Sequence, residues 1–458
     1  MKPHRVLGGL VLAACAPALP AADLLSAWQA ALAHDPTYAA ARSQWQAGST
    51  LARQGRALLA PQVSAVASAG YLDTDRTTRG AQFAAPGFGA SNDAMFRTRI
   101  QHGTMTTWAL VAQQPLYNVE RQASADQLAK QAQMAELRLQ TATQDLILRA
   151  ARAYFAVILA DDLLATIMAQ QREAERARDA AQEKYDAGAS PVTDREEAQA
   201  RYDDLRARVI AARNDVELRR AAYRDVTGQA AGTLAKLRTG SGELTLEAGP
   251  LDTWLARAEE RHPLLALQAL GQSVADDDVR KYRALTSPAV DLVARLSDDR
   301  LRGSNGWGGT GEVTAPTRTV GVQITLPLAT GGMRSAKRDE ALALADKARH
   351  DTAALRQDVL QQTRAAWLAV STGVERIRAR TQGLASAQSR LDATTTGVEV
   401  GARTTLDQLN AQSDYYQAQR ELLRARYELL LDRLHLAAAA GELDEADVRQ
   451  VNGLLGAP

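Results

Sequence analysis

Hydrophobic and polar positions along the 458-residue chain follow two periods in alternation. From Asp23 to Leu59 apolar residues recur at three- and four-residue steps (Leu24, Trp28, Ala31, Leu32, then Ala39, Ala40, Trp45), the stripe of an amphipathic helix. The Asp35-Pro36 step kinks or restarts it, because a residue before proline is pushed out of the helical region, and Pro61 ends it. The period then drops to two. Val63, Ala65, Ala67, Ala69 and Tyr71 alternate with Gln62, Ser64, Val66, Ser68 and Gly70, which marks a strand with one apolar face. A polar loop rich in Gly, Asp and Arg is expected from about 73 to 103, and alternation resumes with Trp108, Leu110, Ala112 and Leu116 on one face. From about Asn118 to Tyr185 neither proline nor glycine intervenes, which predicts ~100 Å of helical rod. Helices of globular domains run ~10–14 residues, so such a rod needs a bundle or coiled coil. Gly188 and Pro191 break it, and Thr193-Asp194-Arg195-Glu196 fits a capping box that starts the next helix.

The programme then repeats. A helical stretch containing His262-Pro263 leads to Pro288, and a strand follows with Val290, Leu292, Ala294 and Leu296 against Asp291, Arg295 and Ser297. After a Gly-rich loop, Val320, Val322, Ile324, Leu326 and Leu328 alternate with Thr319, Gly321, Gln323 and Thr325. Gly331-Gly332 releases a second long helix, Gly397 and Gly401 break it, and Thr405-x-x-Gln408 fits a second capping box. The halves align by residue separation. Pro36 and Pro263, like Pro61 and Pro288, lie 227 apart; Pro115 and Pro327 lie 212 apart; Gly188 and Gly401, Asp194 and Asp407, and Gly228 and Gly441 lie 213 apart. The offset changes within the inter-strand loop, where length differences are tolerated. The expected organisation is a signal peptide (1–22), then a first repeat (23–228) of helix 23–59, strands 61–72 and 104–116, long helix 118–186 and helix 194–227. A connector (229–250) leads to a second repeat (251–441) of helix 252–286, strands 288–298 and 317–328, long helix 332–397 and helix 405–440, before a C-terminal segment (442–458).

Composition narrows the picture. Aromatic residues are only 5%, which suits long helices packed through small side chains better than bulky cores. Lys2 and Arg5 followed by apolar Val6 to Ala16 read as a secretion signal, cleaved near Ala21 or Ala22. Its removal leaves 52 basic against 53 acidic groups, so no nucleic-acid partner is implied. Leu12-Ala13-Ala14-Cys15 also fits a lipobox, in which Cys15 would be acylated; seven residues then tether it to Asp23, at most ~25 Å. As the only cysteine, Cys15 excludes an intramolecular disulfide. No later segment offers the ~18 uncharged apolar residues of a membrane helix, so any membrane span must be made of strands. The six histidines show no metal-ligand spacing, and no phosphate loop or nucleophile elbow is present, which leaves no cofactor and no enzyme activity to expect. Four amphipathic strands cannot close a membrane barrel alone, and open edges are not tolerated in lipid, so a membrane reading requires oligomers. An ordinary surface hairpin on a soluble periplasmic coiled-coil scaffold is the competing reading.

The duplicated order, the Ala60-Pro61-Gln62-Val63 start of the first strand, the Leu326-Pro327-Leu328 end of the last, and the stretch Val400-Gly401-Ala402-Arg403-Thr404-Thr405-Leu406-Asp407-Gln408-Leu409-Asn410-Ala411 together resemble the TolC family of outer-membrane channel proteins over about residues 23 to 450. The resemblance implies a mixed α and transmembrane-β fold: a homotrimer with a 12-stranded barrel in the outer membrane and a 12-helix coiled-coil tunnel in the periplasm, with 229–250 and 442–458 at its equator. It implies an exit duct docking a periplasmic adaptor (membrane fusion protein) and an inner-membrane ABC or proton-driven transporter, with outer-membrane lipid around the barrel. Type I protein secretion is the expected role, and multidrug efflux the alternative. The family's gate transfers residue by residue. Arg403 and Asp194, with neighbouring Thr193, fall where polar links hold the closed tip, and Val398 replaces a tyrosine partner. Asp407 matches one position of the aperture ring and uncharged Asn410 the other; Asp414, seven residues on, supplies a second acidic position one turn higher. Gly188, Pro191 and Gly401 form the turns at the tip.

Overall fold

The computed structural model describes residues 23–87, 89–238, 248–283, 287–304 and 309–456. The expected signal peptide, Cys15 and much of the 229–250 connector lie outside these residues. The chain runs α1 (Leu24–His34), α2 (Pro36–Ser49), α3 (Leu51–Leu59), β1 (Gln62–Ala85), β2 (Gly89–Tyr117), α4 (Val119–Asp186), α5 (Val192–Thr227), α6 (Leu251–Arg261), α7 (Pro263–Tyr282), β3 (Ala289–Ser304), β4 (Thr310–Thr325), α8 (Met333–Glu399), α9 (Thr405–Ala439) and α10 (Glu445–Asn452). It divides into two compact units.

The first unit comprises Met1–Trp45, Leu137–Leu267 and Ala353–Pro458. Its core is built where α1, α4, α5 and α9 meet, from Trp28, Leu146, Ile147, Tyr154, Phe155, Tyr223, Leu430 and Leu434. By length and composition α4 could cross a membrane, contrary to the expectation that no later segment could, but Leu146, Ile147, Tyr154, Phe155, Val157 and Ile158 are buried in that core. A second cluster gathers Trp254, Val370, Leu429 and Leu436. Asp35 explains the break between α1 and α2. It ends α1, its carboxylate accepts the Tyr38 backbone N–H at 2.7 Å, and both its oxygens receive Arg149 at 2.7 and 3.1 Å. Two glycines with left-handed backbone close the second helix of each hairpin, Gly228 (φ 71°) and Gly441 (φ 77°). A Cβ on Gly228 would meet the His34 ring at 2.5 Å, and one on Gly441 the His262 backbone at 2.4 Å. The start of α1 and the end of α10 are joined: Asn452 donates to Asp23 at 2.8 Å and accepts from the Leu24 N–H at 2.9 Å.

The second unit comprises Gln46–Glu136 and Gln268–Thr352. It holds one antiparallel sheet in the order β1-β2-β3-β4. The strands run well past the expected limits: β1 and β2 pair as far as Ala85 and Gly89, across most of the stretch expected to be a loop. Register shifts at Leu72/Thr74 and Thr78/Ala81, and a positive φ at His102, interrupt the alternation while the ladder continues, so period-two patterning under-reports these arms. Beside the sheet, α3 lies close on α4, where a Cβ on Gly55 would meet the Ala125 carbonyl at 2.8 Å. Lys130–Asp277 at 2.6 Å and Gln127 donating to Asp278 at 2.8 Å tie α4 to α7.

Candidate functional site

Two features stand apart from the packed interior: the faces of the sheet and the turns that close the two long helical hairpins. Across the sheet the register lines up Val63, Ala112, Ala294 and Val320 in one row, and Ala65, Leu110, Leu296 and Arg318 in the next. Val290 with Ile324 and Leu292 with Val322 extend the same face. The opposite face carries Ser64, Val111, Arg295 and Thr319 in one row and Val66, Ala109, Ser297 and Thr317 in another. Pairing thus collects the apolar sets of all four strands on one side. The apolar side is open to the surroundings: Val320 is 76% and Ile324 69% exposed, and Leu110 in the middle of the sheet is still 43% exposed. A water-soluble sheet covers its apolar face with other elements; this one leaves the face bare. The outer edges of β1 and β4 have no strand beside them among the described residues.

The first tip follows α4. Gly188 (φ 68°) turns the chain, and the Ala189 N–H reaches back to the Lys184 carbonyl at 2.8 Å. The cap of α5 is Pro191, with no side-chain cap bond. The capping box expected at Thr193 and Glu196 does not form. Pro191 has the fixed φ that begins a helix, so Thr193 already lies inside α5, exposed, and Glu196 pairs with Arg195. Asp194 sits half-buried in the first turn of α5.

The second tip follows α8. Gly401 (φ 75°) turns the chain while the Ala402 and Arg403 N–H groups share the Gly397 carbonyl at 2.7 and 3.0 Å. Gly397 does not break α8, contrary to expectation; it makes room for the Arg403 stem, whose Cγ would lie 2.7 Å from a Cβ there. The capping box is one residue earlier than expected. Thr404 is the cap, its N–H donating to Asp407 Oδ2 and its Oγ1 accepting from the Asp407 N–H, both at 3.1 Å. Gln408 instead reaches Thr395 across the hairpin at 3.4 Å. The Thr404 backbone N–H foremost, then its hydroxyl, with Arg403 and Arg390 nearby, hold the Asp407 carboxyl below the ordinary carboxylate range. Asn410 is exposed one turn along α9.

Asp414 is not a free acid, because Arg390 of α8 pairs with it at 2.7 Å. The ring position expected seven residues beyond Asp407 is thus occupied by a lock across the hairpin. Arg376–Glu428 at 3.3 Å and Arg380–Glu421 close the same hairpin further along. The other hairpin uses stacking: Arg178 lies 4.4 Å from the Tyr202 ring and Arg195 4.6 Å from that of Tyr185. Arg178 and Tyr202 are equally distant from Ser190, as Arg390 and Asp414 are from Ala402. Sequence reasoning missed these partners; the signal was that hairpin partners are equidistant from the turn. Arg403 and Asp194 are not brought together within the chain: neither forms a side-chain hydrogen bond or ion pair among the described residues.

The chain matches the family model described as "Outer membrane efflux protein" at residues 27–229 and 254–442. It is 30% identical to "Outer membrane protein TolC" of Escherichia coli strain K12 over 359 residues, 77% of this chain and 73% of that protein. It is 28% identical to "Alkaline protease secretion protein AprF" of Pseudomonas aeruginosa over 435 residues, 94% of this chain and 87% of that protein. Among solved structures, the outer membrane protein VceC of Vibrio cholerae superposes with a TM-score of 0.70 at 20% identity, covering 91% of this chain and 96% of that one, which speaks to the fold.

Proposed function

The chain belongs to the outer membrane efflux protein family, a channel protein of the bacterial outer membrane, and from that premise we propose that three copies form a gated exit duct for protein secreted by the type I route. The observation that carries the duct is the sheet: an uncovered apolar face on all four strands, a polar face opposite, and edges with no neighbour. Lipid is the solvent that such a face fits, and closure with neighbouring copies satisfies the edges. Three copies give the twelve strands of the family's barrel, with Arg295, Ser297 and Thr319 towards the lumen. The long hairpins continue as a periplasmic tunnel towards an adaptor and an inner-membrane transporter.

At the tip, Arg403 and Asp194 are the gate links. Neither has a side-chain partner among the described residues of its own chain, which leaves both available to the hairpins of adjacent copies. Thr193, exposed beside Asp194, adds a hydroxyl. Asp407, ionised at neutral pH and repeated three times, forms the charged part of the aperture, with Asn410 as its polar companion. Asp414 contributes to hairpin closure through Arg390 rather than to an acidic ring. The protein-secretion route is favoured by similarity to a relative named for alkaline protease secretion, along nearly the whole chain. Small-molecule efflux is the second reading, favoured by the family description. Planar-bilayer recording tests the gate. Asp407→Asn is expected to weaken block by multivalent cations applied from the tip side, and Arg403→Ala to raise closed-state conductance. Unchanged block and unchanged conductance in the two variants would remove Asp407 and Arg403 from the gate.

A further inference from the structure

The helices attach at one end of all four strands, so the hairpin ends point the other way. On that outer side the apolar face stops at a row of Ala67, Trp108, Asp298 and Pro316. The row holds more than a plain boundary with lipid needs. Because Ala67 and Ala69 are small, a hollow of about 530 Å³ opens beside Trp108, lined also by Thr106, Asp298 and Arg300. Trp108 donates its Nε1 to Asp298 Oδ2 at 3.3 Å, which fixes the indole while leaving the residue 49% exposed. Arg300 donates to the same oxygen at 3.0 Å from Nε and reaches it at 2.9 Å from Nη2, with 61% of its side chain still exposed. The other carboxylate oxygen, Oδ1, is buried and accepts no hydrogen bond among the described residues, in a residue only 9% exposed overall.

We propose that this hollow binds the phosphorylated saccharide headgroup of an outer-leaflet glycolipid. The inference rests on the reading that the apolar face meets lipid. The indole and the guanidinium then each have a counterpart. The exposed indole offers a flat face to the C–H side of a sugar ring. Asp298 holds the indole and the guanidinium in place through Oδ2. The remaining Arg300 N–H groups take a phosphate, the oxyanion a guanidinium fork fits. Leu110 and Leu296 in the next row lie where acyl chains descend from that headgroup. An ordinary anionic phospholipid supplies the phosphate and the chains but not the ring.

The test uses the full mature protein as its purified assembly in detergent, delipidated, with four probes: rough lipopolysaccharide (lipid A with inner core), its dephosphorylated form, phosphatidylglycerol, and inorganic phosphate. Lipid retention is read by native mass spectrometry. Rough lipopolysaccharide is expected to outcompete phosphatidylglycerol. Trp108→Leu and Arg300→Gln are each expected to weaken its binding about tenfold while leaving assembly and bilayer conductance unchanged. Dephosphorylation should reproduce the Arg300→Gln loss in the wild type and have little further effect in that variant. Equal retention of phosphatidylglycerol, unaltered binding by both variants, or displacement of the glycolipid by millimolar inorganic phosphate would overturn the proposal. If the wild-type assembly neither inserts nor conducts, the channel reading falls and this inference falls with it. If it conducts normally but shows no glycolipid preference, only this inference fails.

Discussion

Replacing Val322 by arginine places a cation in the middle of the exposed apolar face. Val322 pairs with Leu292, and the face extends from Leu326, just past β4, to Pro316 opposite Asp298. Ten residues of strand cover about 34 Å, or about 25 Å along the membrane normal at the usual tilt of ~40°, the height of an outer-membrane apolar band. Val322 and Val320 straddle its midpoint. Val322 is 59% exposed and Val320 76%, so side chains at both positions project from the open apolar face. An arginine near the midplane costs ~2–4 kcal/mol per chain, falling to ~0–1 near either interface. The native Arg318 lies in the row next to the outer boundary, where its long stem can reach the headgroups. Val322→Arg is therefore expected to shift the folding equilibrium in lipid vesicles by roughly 30- to 700-fold per chain. Gln323→Arg, the next residue on the opposite face, should cost almost nothing, because a lumen-facing arginine stays in water. Urea unfolding of protein refolded into vesicles measures both. Equal costs for the two, or a greater cost at Gln323, would refute the assignment of faces.

Thr404→Ala separates the two tasks of the second tip: it removes the cap and keeps the Asp407 carboxylate. It should destabilise the start of α9 by about 1 kcal/mol, seen as faster hydrogen exchange there, while multivalent cations still block the pore. Arg149→Ala leaves Asp35, 3% exposed, without its cation and should cost about 3 kcal/mol in urea unfolding, whereas Arg97→Ala, at an exposed pair, should change nothing measurable. The pH dependence has a definite sign. Burial holds the His262 imidazole below its ordinary value of 6.5, and burial followed by the facing Arg152 guanidinium does the same for His435. A histidine lowered in the folded state binds its proton more readily when unfolded, so the stability it contributes is full above the unfolded value and is lost as pH falls below it. The thermal midpoint should drop between pH 7 and 5, and less so in the His262→Gln, His435→Gln double variant.

Much of this architecture was legible in residue order because it is periodic. The glycine- and proline-free run from Asn118 to Tyr185 becomes α4 to within a residue at each end, and the alternation at Val320, Val322 and Ile324 lies in β4, which starts at Thr310, ahead of the expected 317. The arms of β1 and β2 beyond Leu72 were not legible, because bulges shift register and remove the period while the backbone ladder continues. Both capping boxes were misplaced for local reasons. Pro191 begins a helix without a side-chain cap, and of two adjacent threonines only Thr404 has a carboxylate three residues ahead. The pairing of Asp414 with Arg390 depends on two helices folding back at Gly401, which no single-helix pattern displays. Arg403 and Asp194 form no side-chain bond among the described residues, so a contact between copies, as proposed for the gate, is not displayed by one chain.

Closure of the barrel and closure of the gate, as proposed, both depend on neighbouring copies. Native mass spectrometry of the assembly extracted from outer membranes measures that dependence directly, by counting chains. Three mature chains per particle, conducting when returned to a planar bilayer, is the predicted result. A stable monomer or dimer, or a protein recovered from the soluble periplasmic fraction, would contradict it.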